Sequence, residues 1–228
     1  MKRETFKVIS CGILDYHKAR TLQTSIHAER VKGIRPDTIL LMEHPGTITL
    51  GRRADKTHIR STLSDIERKG IKVINVDRGG EATFHGLGQL IVYPIIRLRE
   101  YDLGPITYIR LLEDTIIDAL KVININGEKI KGETGVWVVG KSGNPKKIAA
   151  LGVRISGGVT LHGAALNVST DLSFFDHIIP CGNPQSEVTR VNDEISHKVT
   201  VQEISAIFVK TFSSRLRKTA VRETYQFV

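Results

Sequence analysis

Cysteine is nearly absent from this 228-residue chain: there are two, Cys11 and Cys181. A disulfide framework needs more, and no Cys-x-x-Cys or His-x-x-x-His spacing is present, so a structural zinc site is not expected. Aromatic residues make up 6%. That disfavours the basic-plus-aromatic surfaces that stack on single-stranded nucleic acid. Long apolar runs are missing too. ILLM at 39–42 is far too short to cross a bilayer. The opening MKRETFKVIS has no apolar signal core, and Glu4 argues against an organellar presequence. The expectation is a cytoplasmic protein that binds neither nucleic acid nor membrane.

The chain does carry a surplus of positive charge, +9, and 40% hydrophobic residues, enough to fill a core. The basic residues are scattered rather than clustered: KR at 2–3, RR at 52–53, KK at 146–147, RLRK at 215–218. Such a surface suits solvation or an acidic protein partner.

Hydrophobic periodicity predicts strands at 6–10, 38–44, 47–52, 71–77 and 89–98. It predicts a first helix capped by Asp15 and ending before Gly33 and Pro36. A second, short helix is expected at 64–70 from the capping-box spacing of Ser64 and Glu67. A third is expected over 104–123, with Pro105 in its first turn and Ile106, Ile109, Leu112, Ile116, Ile117 and Leu120 apolar. From 134 onward, short strands split by Gly, Ser and Asn suggest an antiparallel meander. A last helix is expected over 200–218. Strands and helices that do not strictly alternate favour an α+β fold. The chain reads as one domain, 1–228, with 196–228 open to reading as a small C-terminal helical appendage.

The most unusual stretch is RGGEATFHGLGQLIVY at 78–93, with four glycines in eleven residues. It is not a P-loop, since no GK[ST] follows, and not a dinucleotide fingerprint, since a strand follows it. Glycine permits positive φ and close approach of a ligand to the backbone. On spacing alone, a glycine-rich hairpin with a solvent-facing His85 is the more ordinary account. Cys181 sits in PCGNP, a loop with little side-chain cover. A thiol there is a candidate nucleophile or an inert loop cysteine. Cys11, beside Gly12 at a strand end, reads as structural. Lys147 opens the strand KIAALGVRIS, where small apolar neighbours could desolvate its amine, although a lysine there is ordinarily a surface residue.

Taken together, four blocks resemble the lipoyl(octanoyl) transferase family of the lipoate/biotin protein ligase superfamily. RGGEATFHGLGQ resembles the family signature RGGxxT[FY]HGPGQ. KIAALGVR is similar to its lysine segment, LHGAALNV to its HGxALNV segment, and IIPCG to its cysteine loop. The blocks occur in family order between about residues 35 and 195. One departure stands out: Leu87 replaces the usual proline, which leaves the rigidity of that turn in doubt.

The resemblance implies a mixed, mostly antiparallel β-sheet flanked by helices. It implies transfer of an octanoyl group from octanoyl-acyl carrier protein, without a cofactor or metal. The acceptor is a lysine on lipoyl domains of 2-oxoacid dehydrogenase E2 subunits or the glycine-cleavage H protein. Carried over by position, Cys181 is the acyl-thioester nucleophile and Lys147 its activating partner. Arg78, Gly79, Gly80 and Glu81, followed by Ala82, Thr83, Phe84 and His85, line the substrate on one side. Ala150, Leu151 and Gly152 line it on a second, and Gly163, Ala164 and Ala165 on a third. Rival readings are an ATP-dependent lipoate–protein ligase or an acyl amidotransferase on the same fold, a basic RNA-binding module, and a metalloenzyme built on His85, His162 and Cys181.

Overall fold

The computed structural model describes residues 4–140, 143–180 and 185–225. Cys181 therefore lies outside the described residues. The elements in chain order are β1 (Thr5–Ile13), α1 (Tyr16–Val31), β2 (Thr38–Glu43), β3 (Thr47–Leu50), α2 (Leu63–Arg68), β4 (Lys72–Asn75), β5 (Ala82–His85) and β6 (Gln89–Ile95). There follow α3 (Pro105–Val122), β7 (Gly127–Glu128), β8 (Val136–Val139), β9 (Pro145–Ser156), β10 (Val159–Asn167), β11 (Glu187–Val188), α4 (Val191–Glu194), α5 (Val201–Leu216) and β12 (Thr219–Arg222).

Among the described residues the strands form two sheets. The larger runs β12-β1-β2-β6-β10-β9-β8-β7, with β11 beside β9. Its pairs are antiparallel from β2 through β7; β1 is parallel to both β2 and β12, and β11 to β9. The smaller sheet is β4-β3-β5. This is the expected α+β arrangement, a mixed and mostly antiparallel sheet flanked by helices.

Alternation along the central strands sorts residues into two cores. Leu41, Val92, Ala164 and Leu166 face α3 and α5, while Leu40, Met42, Tyr93 and Ala165 face α1. A third cluster joins β3 and β5 to the segment after β10 through Ile48, Phe84, Phe175 and Ile178.

Helix ends follow local chemistry. Asp15 caps α1 by accepting from the backbone N–H of His17, 2.9 Å away. Pro105 occupies the first turn of α3. Thr200 and Glu203 form a capping box on α5. The short α2 differs from expectation: its cap is Thr62, which accepts from the Asp65 N–H, not Ser64. On α3, Ile106 is exposed and Glu113 is fully buried. Glu113 stays buried because it accepts from the Gly135 N–H at 3.0 Å and pairs with Arg110 at 2.6 Å. The C-terminal stretch, readable from sequence as an appendage, contributes to the main layers. Phe208 and Phe212 sit in the α3-side core, and β12 extends the large sheet beside β1.

Candidate functional site

Between the large sheet and β5 lies a cavity of about 270 Å³. Its mouth is exposed and charged. Arg53 and Glu81 pair at 2.9 Å on one lip, and Gly132, Glu133 and Thr134 form the other. Its deep end is buried, where His85, Tyr93 and His162 meet. Small residues make the wall between. Ala150 pairs with Ala165, which pairs with Ile91; two rungs further along the sheet, past Leu151 and Ala164, Gly152 pairs with Gly163. Two alanines and two glycines leave a strip of sheet with almost no side chains.

Most residues singled out in the sequence come together here: Arg78, Gly80, Glu81, Ala82, Thr83 and His85 on one side, Lys147 and Ala150–Gly152 on the next, and Gly163–Ala165 on the third. Two do not line the cavity. Phe84 points the other way along β5, into the core, where it stacks on Phe174 with ring centroids 5.0 Å apart. Gly79 packs its backbone on β9, donating to the Val153 carbonyl at 3.0 Å.

The glycines serve chain packing as much as ligand access. A Cβ at Gly51 would collide with the Gly80 carbonyl and lie 2.8 Å from Arg78 Nη1. A Cβ at Gly152 would lie 2.8 Å from the Gly79 carbonyl oxygen. Gly80 and Gly88 have φ of +88° and +82°, a region that suits glycine. Arg78 is buried and staples the loop, donating to the carbonyls of Thr49 (2.7 Å), Glu81 (2.9 Å) and Gly79 (2.9 Å).

His85 is buried, not solvent-facing as a simple hairpin would have it. Its surroundings fix its protons. Gln89 donates its amide to Phe84 O and Asn167 Oδ1, so Gln89 Oε1 accepts from His85 Nδ1 at 2.9 Å. His85 Nε2 then accepts from the Thr49 hydroxyl, which itself accepts from Arg78. Burial and the neighbouring His44 and Arg78 push the His85 pKa well below its ordinary value. His85 is thus neutral at pH 7.

Lys147 is 4% exposed and its Nζ lies 4.7 Å from the centre of the Trp137 ring. This is a cation–π distance. A Cβ at Gly135, which Glu113 holds through its N–H, would lie 3.2 Å from Lys147 Cε. The segment preceding Cys181 lies alongside: Pro180 bridges to Ala82, and Pro180, Lys147 and Thr83 border one small void.

Several groups at the deep end are hard to recognise from sequence alone. Tyr93 sits inside an apolar strand and looked like core. Asp77 sits at a strand end, yet it joins His162 (2.9 Å), Arg154 and Arg20 (3.7 Å). Burial alone would raise the Asp77 carboxyl, but His162 and Arg154 outweigh it and hold it at about 2. Cys11, by contrast, is a core thiol pushed up to about 12 by burial.

The small-residue slot and its buried lysine lie on a mixed sheet flanked by helices, the fold of lipoate protein ligase catalytic domains. The model for the lipoyl protein ligase A/B catalytic domain matches residues 15–213. The octanoyltransferase of Syntrophobacter fumaroxidans is 42% identical over 90% of this chain and 87% of its own length. That of Corynebacterium diphtheriae is 41% identical over 88% and 78%. The fold is similar to a lipoate protein ligase from Thermoplasma acidophilum (TM-score 0.74, 17% identity, 98% of this chain and 88% of that one). It is similar also to lipoate-protein ligase A bound with ATP (TM-score 0.71, 16% identity, 98% and 90%). The chain belongs to the octanoyltransferases, within the lipoyl protein ligase A/B catalytic-domain family.

Proposed function

We propose that the slot holds the acyl chain of an octanoyl thioester delivered by acyl carrier protein, and that Cys181 and Lys147 carry the transfer. The observation behind this is the placement of Lys147. It is buried on the wall of the slot and borders one void with Thr83 and Pro180, the residue before Cys181. Arg78, Gly80–Thr83, His85, Ala150–Gly152 and Gly163–Ala165 surround the chain in this reading. Gly79 and Phe84 act indirectly, by fixing the loop and β5.

In the first step the Cys181 thiolate attacks the thioester carbonyl. A carbon–sulfur bond to Cys181 forms, the bond to the carrier sulfur breaks, and the carrier leaves as its thiol, taking up the proton that the Cys181 thiol gave up on forming its thiolate. In the second step the amine of an acceptor lysine attacks the acyl-enzyme. The amide forms, a proton leaves the amine, and Cys181 is released. A cationic Lys147 favours the thiolate; a neutral one can take the amine proton. Amide formation from a thioester runs downhill without ATP. Burying about seven methylenes contributes roughly 5–6 kcal/mol to holding the chain.

The acceptors are lipoyl domains of 2-oxoacid dehydrogenase E2 subunits and the glycine-cleavage H protein. The charge of +9 suits acidic carrier and acceptor domains, so association weakens as salt rises. The compartment in this reading is the cytoplasm. Among the described residues, no helix is long and apolar enough to cross a membrane.

The test is the intact mass of the protein mixed with octanoyl-acyl carrier protein and no ATP. One added octanoyl group, labile to hydroxylamine and absent from Cys181→Ser, is the expected result. Lys147→Met should form that adduct much more slowly while remaining folded. Acceptor octanoylation that survives Cys181→Ser, and needs ATP with free octanoate, would overturn the reading in favour of a ligase.

A further inference from the structure

The deep end of the slot contains a strained residue. His162 has φ +57° in the middle of β10. That is the left-handed region, rare for a residue with a side chain and uncommon within a strand. Alternation would place residue 162 with Ala164 and Leu166, facing α3 and α5. Instead His162 reaches the other face, where its Nε2 meets Asp77 Oδ1 at 2.9 Å and its ring lines the slot. The Gln23 side chain of α1 holds the turned backbone by accepting the His162 N–H at 2.5 Å. Strain of this kind persists only where surrounding contacts impose it.

The ring stands edge-on to Tyr93, with centroids 6.1 Å apart. Tyr93 is fixed in turn. His44 Nδ1 lies 2.7 Å from the Leu14 carbonyl, which can only accept, so this nitrogen carries the hydrogen. His44 Nε2 is then bare and accepts the Tyr93 hydroxyl at 3.0 Å. Both walls of the deep end are therefore held by polar partners, Tyr93 by the fully buried His44 and His162 by the part-exposed Asp77. An alkyl chain cannot push either aside without breaking a hydrogen bond. Along β10, from Asn167 beside Lys147 to Gly163 beside this floor, is four residues, or roughly 13 Å of strand. That accommodates a medium-length acyl chain and little more.

We infer that His162, braced by Asp77 and facing Tyr93, is the stop that sets acyl-chain length. This is a specificity-determining role, and it rests on the reading of the slot as the acyl site. His162→Gly removes the stop at a position whose backbone already suits glycine. His162→Gln keeps a side-chain amide that can donate to Asp77. Tyr93→Leu shortens the facing wall independently.

The experiment uses the full chain and a series of acyl carrier proteins loaded with hexanoyl to tetradecanoyl groups, read by intact mass and by initial rate. The wild type should favour octanoyl. In His162→Gly the dodecanoyl-to-octanoyl rate ratio should rise about tenfold or more, the scale at which pockets sense one or two methylenes. His162→Gln should keep the wild-type profile, and Tyr93→Leu should shift toward longer chains. Unchanged profiles in both His162→Gly and Tyr93→Leu, with octanoyl still accepted, would overturn the stop. A wild type that takes no acyl group from any donor would instead overturn the acyl-slot reading, and the stop with it.

Discussion

The hydroxyl of Tyr93 donates to Nε2 of the fully buried His44 across 3.0 Å. The direction of this bond follows from the Leu14 carbonyl on the other side of the imidazole. Tyr93→Phe should leave a buried lone pair on His44 unsatisfied, at a cost of about 1–3 kcal/mol. Urea unfolding of Tyr93→Phe, His44→Ala and the double variant reads the coupling. If the single costs simply add, the two residues are not joined as described.

Acid should destabilise the fold through its buried histidines. Burial holds His44 at about 4, against 6.5 ordinarily, and pushes His85 and His162 down as well. A histidine kept neutral in the fold binds its proton more readily unfolded. Its contribution is complete above pH 6.5 and is lost as pH falls through the folded value. For His44 this amounts to roughly 3 kcal/mol between pH 6.5 and 4. Asp77, held at about 2, adds a second loss below pH 3.8. Urea midpoints measured from pH 7.5 to 4.5 should fall steadily. A flat profile over that range would contradict the neutral, buried histidines.

Much of this architecture was legible because it is local. Asp15 at a cap, Pro105 at a first turn, and the periods of α1, α3 and α5 are short-range signals, and each predicted helix is present. The four sequence blocks identified most of the cavity wall. What could not be read depends on distant partners. TITL at 47–50 gives no sign that it joins a separate sheet between β4 and β5. Glu113 looks like a surface residue until Gly135, 22 positions away, offers it an N–H. Tyr93 looks like core until His44 and the cavity are placed beside it. Phe84 matched the family signature, yet strand alternation sends its ring away from the cavity between Ala82–Thr83 and His85. His162 defeats alternation outright, because its left-handed φ turns it to the face that period two denies it.

Gly51 should be nearly intolerant of substitution although it carries no chemistry. Its missing Cβ is where the Gly80 carbonyl and the Arg78 guanidinium pack. Gly51→Ala would push the glycine loop off β3 and disturb the bonds from Arg78 to Thr49 and Glu81. The expected loss is about 1–3 kcal/mol, the usual cost of overpacking, with a comparable fall in octanoyl uptake. Gly104→Ala is the control: its nearest neighbour to an added Cβ is Thr107 Oγ1 at 3.9 Å. Equal effects from the two, by thermal melt and by adduct rate, would deny the loop's dependence on that contact.

Phe212 tests how far the C-terminal helix belongs to the body of the protein. Its ring is fully buried, meets Phe6 of β1 edge-on at 5.8 Å and stacks on Phe208 at the same distance. An appendage would lose little on truncation of such a ring. Here Phe212→Ala empties a space between β1 and α5 and removes two aromatic contacts. The cost should be about 3–5 kcal/mol, a large share of the stability of an ordinary domain. Denaturant unfolding should show one transition moving as a whole to lower urea. A separate early transition, with the remainder unfolding at the wild-type midpoint, would mean that α5 and β12 fold apart from the sheet they complete.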